Sequence, residues 1–210
     1  MSTLSQLRSR ISNKLSAGNL VDPTSAEIDD QINSVIKFYS SDEFWFNEQI
    51  VSLTATTDSA VLTGLPADFQ QEIVPNGLVL IDNSIPHPLT KITPAEYDSM
   101  DSGTTGLPNR YIYRAGNFEL LNYPDQAYTI NLFYRKNYAT LVNDDDTNDF
   151  TNYAERLIEY KTLSDLFGDY KDDDKKALFY DAKSLDEFNA VKKQTYNLTS
   201  TGVLVTENIV

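Results

Sequence analysis

The chain contains no cysteine, one histidine, one tryptophan and two methionines among its 210 residues. Without cysteine there is no disulfide, no thiolate metal site and no cysteine nucleophile, and thiol usage gives no hint of compartment. The single histidine, His87, excludes a multi-histidine metal centre. It lies in Ile85-Pro86-His87-Pro88, where two prolines point to extended or turn geometry and to a surface loop. Basic residues are also scarce. Lys and Arg number 17 against 31 Asp and Glu, for a net charge of −14 and a pI near 4.3, a field that repels nucleic acid phosphates. The small basic groups, Arg8 with Arg10 and Lys14, and Lys192 with Lys193, read as solvated helix faces. No apolar run approaches the ~20 residues that span a bilayer. The start, Met-Ser-Thr-Leu-Ser-Gln, has no apolar signal core, so the expectation is a protein that stays in the cytosol where it is made. Without a secretory route, the sequon at Asn197-Leu198-Thr199 carries little weight.

Catalytic signatures are missing too. No Gly-x-x-x-x-Gly-Lys, Gly-x-Gly-x-x-Gly or Gly-x-Ser-x-Gly occurs, so phosphate-cradling loops and nucleophile elbows have no support. With 31 carboxylates, some acid pair at glycosidase spacing is guaranteed and therefore uninformative. Asp144 to Glu155 imitates a calcium loop, with Asp144, Asp146, Asn148 and Glu155 in ligand places. Its sixth position holds Asp149 instead of the glycine that makes the sharp turn. Asp and Asn ahead of a helix are also what capping requires, and helix entry is the preferred reading. Asp169-Tyr170-Lys171-Asp172-Asp173-Asp174-Lys175 is close to an epitope tag but is read as native.

What is present is periodicity. Leu4, Leu7, Ile11 and Leu15 form one helical stripe closed at Gly18, and Ile28, Ile32, Val35, Ile36 and Tyr39 form another, opened by Thr24-x-x-Glu27 as a capping box. From Gln49 the period becomes two. Further strands are expected at 73–82, 110–114, 118–123 and 128–135, with a short capped helix from Pro94 to Met100. Helical character returns with Ala154, Leu157, Ile158, Lys161 and Phe167, ending near Gly168, and again with Leu178, Ala182, Leu185, Phe188 and Val191. The fold class is α+β: a four-helix portion of two N-terminal and two C-terminal helices, a mainly antiparallel β-rich insertion, and an extended C-terminal tail. The expected divisions are 1–47, 48–147, 148–196 and 197–210.

Thirteen tyrosines and ten phenylalanines exceed what a core alone needs, and aromatic rings are favoured at protein interfaces. Phe44, Trp45 and Phe46 sit at the joint between helix and strand, where adjacent residues cannot all face one core. Val203-Leu204-Val205 reads as an extended stretch with little beside it to bury. These six residues are the candidate partner interface; no catalytic, cofactor or metal residue is assigned.

In their order, several segments resemble the head-to-tail adaptor, or connector ring, proteins of short-tailed bacteriophages. They are Leu4-x-x-Leu7-Arg8-x-Arg10-Ile11, Phe44-Trp45-Phe46-Asn47-Glu48, Leu65-Pro66-Ala67-Asp68-Phe69, Gly106-Leu107-Pro108-x-x-Tyr111, Gly116-x-Phe118-x-Leu120 through Tyr123-Pro124-Asp125-x-x-Tyr128, and Asp145-Asp146-Thr147-Asn148-x-Phe150-Thr151. The resemblance covers residues 4 to about 195. It implies a virion protein without cofactor that docks under the portal protein as a homo-oligomeric ring of twelve copies, receives the tail nozzle or other tail proteins, and lets DNA pass without binding it. The acidic charge agrees with that passage, and a β-prone tail suits strand addition to a partner. Another neck or tail-completion component, a virion-associated cell-wall glycoside hydrolase and a calcium-binding module remain as alternatives.

Overall fold

The computed structural model describes residues 2–16, 22–57, 59–75, 77–100 and 103–199. In chain order the elements are α1 (Leu4–Leu15), α2 (Ser25–Tyr39), a 3-10 turn at Trp45–Asn47, and strands β1 (Glu48–Thr56), β2 (Ser59–Thr63), β3 (Phe69–Glu72), β4 (Leu78–Asp82), β5 (Ile85–Pro88) and β6 (Thr90–Lys91). Then come α3 (Pro94–Ser99), β7 (Arg110–Arg114), β8 (Asn117–Leu120), β9 (Tyr128–Lys136), α4 (Asp149–Tyr153), α5 (Glu155–Asp169) and α6 (Asp174–Thr199). These form two compact units: a helical one made of Met1–Asn47 with Tyr138–Val210, and a β-rich one, Glu48–Asn137.

In the helical unit the first two stripes are buried as their spacing requires: Leu4, Leu7 and Ile11 are 0 % exposed, and Ile28, Ile32, Val35 and Ile36 at most 3 %. Each helix begins with a reciprocal capping box, Thr3 with Gln6 in α1 and Thr24 with Glu27 in α2, which satisfies donors the first turn cannot pair. Gly18 lies outside the described residues. After the β unit, the segment from Tyr138 joins the helical core. Leu141 is buried there, its N–H donating to Asn33 Oδ1 at 2.8 Å, and the Leu4 N–H donates to the Asp146 carbonyl at 3.1 Å.

The returning helices number three rather than the expected two. Asn148 caps α4 and accepts from the Thr151 N–H at 3.1 Å, and Ala154, at φ −133° and ψ 29°, breaks α4 from α5. The last helix runs to Thr199, so residues 197–199, expected in an extended arm, are helical. Residues 200–210, with Val203, Leu204 and Val205, lie outside the described part. The N-terminal basic residues are also not the solvated face their spacing implied. Arg8 holds Asp29 through two nitrogens at 2.7 Å, and Arg10 and Lys14 both bind Glu159, itself 5 % exposed. A buried carboxylate must be paired to be tolerated, and α1 supplies the partners.

In the β unit the strand order is β5-β4-β9-β1-β2-β8-β7-β6, with β3 also on β9. All pairings are antiparallel except β6 with β7. Along β9, Tyr128, Ile130, Leu132 and Tyr134 point inward with Leu53 and Ala55 of β1, while Ser52 and Thr54 face out, the alternation of a half-buried strand. Of the strand expected at 73–82 only Leu78–Asp82 forms: β3 ends before it, at Glu72, and Ile73, Val74 and Pro75 belong to no strand, since proline cannot donate to a ladder.

His87 sits on a strand, not in a loop. It pairs with Leu80, and Pro86 and Pro88 pair with Ile81 and Val79. Because the Leu89 N–H donates to the Leu78 carbonyl, the alternating antiparallel pattern turns the positions of Pro86 and Pro88 toward the free edge. Those positions need no N–H, so the prolines fit.

The β core also holds a carboxylate. Glu72, 4 % exposed, accepts from the Tyr111 hydroxyl at 2.7 Å and is paired with Lys91. Burial and Glu72 raise the Tyr111 pKa far above its ordinary value, keeping it a donor. Glu72→Ala leaves the buried hydroxyl without its acceptor and is expected to cost about 1–3 kcal/mol. Urea unfolding of the purified chain checks this; an unchanged midpoint refutes it.

Candidate interaction surface

Beyond Tyr39, α2 ends and the chain turns sharply through Trp45–Asn47, and Phe44 and Phe46 share the buried side while Trp45 between them does not. Phe44 and Phe46, 0 % and 5 % exposed, stack at 5.3 Å and both meet the edge of Phe150, at 5.9 and 5.2 Å. Tyr138 closes this cluster, with its ring 5.0 Å from Phe150 and its hydroxyl donating to Asn47 Oδ1 at 2.8 Å. Burial and Asp149 raise its pKa, so the hydroxyl stays protonated. Trp45 is the half-buried member. Its backbone N–H donates to Thr195 Oγ1 at 3.3 Å and its ring rests 4.6 Å from Tyr153, which is 51 % exposed. All of these residues belong to the helical unit.

A second aromatic and aliphatic surface lies between the end of α2 and the middle of α6. Phe38, Leu185 and Leu178 are 65 %, 57 % and 70 % exposed, and Phe38, Tyr39, Leu185 and Phe188 line a groove of about 320 Å³. The charged groups at its rim pair with one another, two lysines with three aspartates. Lys161 reaches Asp165 at 3.0 Å and Asp181 at 3.3 Å, and Lys192 reaches Asp42 at 3.1 Å. Burial pulls the Lys161 pKa down, but its two carboxylates raise it further, so the net shift is upward and the lysine stays charged. The arrangement offers apolar contact area beside charged side chains that are already paired.

This surface was misread from the sequence. Of the expected stripe Leu178, Ala182, Leu185, Phe188 and Val191, the first three are exposed and only Phe188 and Val191 pack inward. The face of α6 that packs inward carries Ala177, Tyr180, Ser184, Phe188, Val191 and Thr195. Small and hydroxylated residues win there because they fit close to α5: the Ser184 hydroxyl returns to the Asp181 carbonyl at 2.8 Å and that of Thr195 to the Val191 carbonyl at 3.0 Å. Phe38 drew no notice because it lies one residue off the α2 stripe. Hydrophobicity alone cannot separate a core stripe from an outward one. The spacing that would have found the packed face is the serine and threonine at 184 and 195, eleven residues apart on one side of the helix.

The acidic loop after β9 spends its carboxylates on the chain itself. Asp144 binds Arg8 at 2.8 Å, Asp146 Oδ2 accepts the N–H groups of Val142 and Asn143 at 2.7 and 2.8 Å, Asn148 is a helix cap, and Glu155 takes the Ser2 hydroxyl. Among the described residues no group of three acidic, histidine or cysteine side chains is placed to hold a metal, and no helix is long and apolar enough to cross a membrane.

Two measurements follow. Phe44→Ala empties a fully buried site and is expected to lower stability by about 3–5 kcal/mol, with Trp45→Ala costing clearly less; thermal unfolding of both variants gives the order. Backbone N–H groups of Asn143 and Val142 hold the Asp146 pKa below its ordinary 3.8. A group depressed on folding stabilises above its unfolded pKa, and that contribution disappears as pH falls through the lower folded value. Asp146→Ala is therefore less stable than the parent at neutral pH, and the gap closes as pH drops below about 3.8. A gap that stays constant in acid denies the role.

No curated protein matches the chain. Residues 2–204 match the family model described as SU10 adaptor protein. That span includes both units, the aromatic joint and the α2–α6 groove. A chain built to present apolar area, matched over nearly its whole length, belongs to the SU10 adaptor protein family of bacteriophage head-to-tail adaptors.

Proposed function

We propose that this chain is the connector ring of a phage neck: a homo-oligomer of twelve copies, located in the virion, that docks beneath the portal protein and receives the tail nozzle or other tail proteins. DNA passes through its lumen during ejection without specific binding. The observation that carries this reading is the unpartnered apolar surface of the helical unit, Phe38 with Leu178 and Leu185 and, beside the joint, Trp45 with Tyr153, in a chain of the adaptor family. Exposed apolar patches on a protein of this charge favour association with protein.

The contacts are assigned by chemistry. Trp45, with its inner neighbours Phe44 and Phe46 as a rigid support, and the stretch Val203-Leu204-Val205 meet portal or neighbouring copies. The net charge of −14 opposes adhesion of the passing genome. Free energy is released where protein surfaces meet, and the chain acts without a cofactor or a catalysed step. The fold is made in the host cytoplasm and is used in the particle.

Native mass measurement tests this directly. Alone, the protein is expected to be a monomer; mixed with its portal it is expected to form one complex of fixed stoichiometry. A chain that stays monomeric beside saturating portal, or particles that keep and deliver their genome without it, contradict the proposal.

A further inference from the structure

The groove between α2 and α6 is apolar in its walls and short of one cation at its rim. Phe38, Leu185 and Phe188 line it together with Asp181. Two lysines serve three aspartates there: Lys192 takes Asp42, while Lys161 is divided between Asp165 at 3.0 Å and Asp181 at 3.3 Å. Asp181, with a side chain 57 % exposed, thus meets solvent with only a share in one lysine.

The other flank of α6 has the converse composition. Phe179, 54 % exposed, lies four residues from Lys183 and so on the same side of the helix. The Lys183 ammonium stands 4.6 Å from the centroid of the Phe179 ring and 5.3 Å from that of Tyr160. Aromatic faces hold a cation in place without cancelling its charge. Glu187, one turn further on, is engaged by Arg156 at 3.8 Å, and among the described residues no carboxylate forms an ion pair with Lys183. In a chain with 31 acids and 17 bases, a positioned lysine without a carboxylate, beside an exposed phenylalanine, is an exception.

These two flanks cannot meet within one molecule. Lys183 and Asp181 are two residues apart on one continuous helix, which sets them about 200° apart around its axis at 3.6 residues per turn. A second molecule carries both flanks and can offer each to its counterpart.

We infer that Phe179 and Lys183 of one copy dock in the Phe38–Leu185–Phe188 groove of the adjacent copy, the ring covering the apolar walls and the ammonium meeting Asp181. This rests on the multi-copy ring proposed above and names the contact that links its members. Shape and charge select the same occupant: an aromatic side chain anchors in an apolar groove, and the lysine supplies the cation that the rim lacks. The flanks differ, so the contact is head-to-tail, the type that makes a ring when its rotation closes.

Charge exchange between copies is the test. Lys183→Glu alone sets a carboxylate against the neighbour's aspartate, and Asp181→Lys alone sets two lysines against each other. Neither side chain is buried, so each variant is expected to melt within a few degrees of the parent. Each is expected to need about tenfold more protein to assemble on portal. An equimolar mixture of the two is expected to assemble as the parent does, in alternating copies, because every junction then joins unlike charges. Only a contact between copies can be repaired by mixing. A mixture as defective as its components overturns the inference, and so do single variants that assemble like the parent.

A Phe179→Cys, Leu185→Cys double variant gives a second readout in a chain with no other cysteine. The two positions lie about 9 Å apart along α6, more than a disulfide spans, so no bridge forms within a chain. Assembled on portal, oxidised and run on a denaturing gel, it is expected to give a ladder of covalent dimers, trimers and larger species. A photoreactive maleimide on Phe179→Cys is expected to label neighbouring copies; adducts on portal alone assign this flank to portal and overturn the contact. If the unmodified chain forms no ring on portal, the connector reading and this contact fall together; a ring of normal mass without the ladder removes the contact alone.

Discussion

Glu159 is the constraint around which the helical unit is arranged. It lies on α5, a helix buried on nearly every side through Leu157, Ile158, Leu163, Leu166 and Phe167. A carboxylate in that setting is destabilising unless it is fully paired, and removing one partner of such a pair costs more than the pair contributes. Arg10 and Lys14, one helical turn apart on α1, meet both of its oxygens. The pairing fixes the register of α1 on α5, while Arg8 ties the same helix to Asp29 of α2. Side chains that look like an ordinary basic helix face in the sequence are thereby committed to holding three helices in one arrangement.

With α1, α2 and α6 packed on α5, only part of each outer helix is covered. For α1 and α2 the covered part is the hydrophobic stripe, and both helices are legible from spacing alone. For α6 the relation is only partial. Its inner face mixes Ala177, Ser184 and Thr195 with Tyr180, Phe188 and Val191, and a second apolar set, Leu178, Ala182 and Leu185, remains outside. A single sequence carries the same periodic signal for burial inside a subunit and for burial against something else. α5 is legible from Leu157, Ile158 and Phe167 to its end near Gly168, but a helix buried on most sides gives a blurred pattern, and the break at Ala154 that sets α4 apart from it has no proline or glycine to announce it. The aromatic joint was half legible. Alternation required that Phe44, Trp45 and Phe46 divide between two sides, but which of them faced inward depended on the 3-10 turn.

In the β unit the long central strands β1 and β9 were readable because each alternates over nine residues. β2, β3, β5 and β6, with five residues or fewer each, were not distinguished. Short strands give too few alternations, and Pro75, Pro86 and Pro88 look like breaks. One of those breaks is real. The other two are strand residues whose missing donors cost nothing, because no neighbour waits on that side.

That last arrangement bears on how copies of this protein behave when crowded. A sheet margin with free amides invites another backbone to zip onto it, and molecules gathered at high local density would coalesce through such margins in any register. Two imino acids along the β5 margin deny the incoming strand its donors at successive rungs. Main-chain pairing along that margin is thereby disfavoured, and the subunit keeps its sheet to itself there.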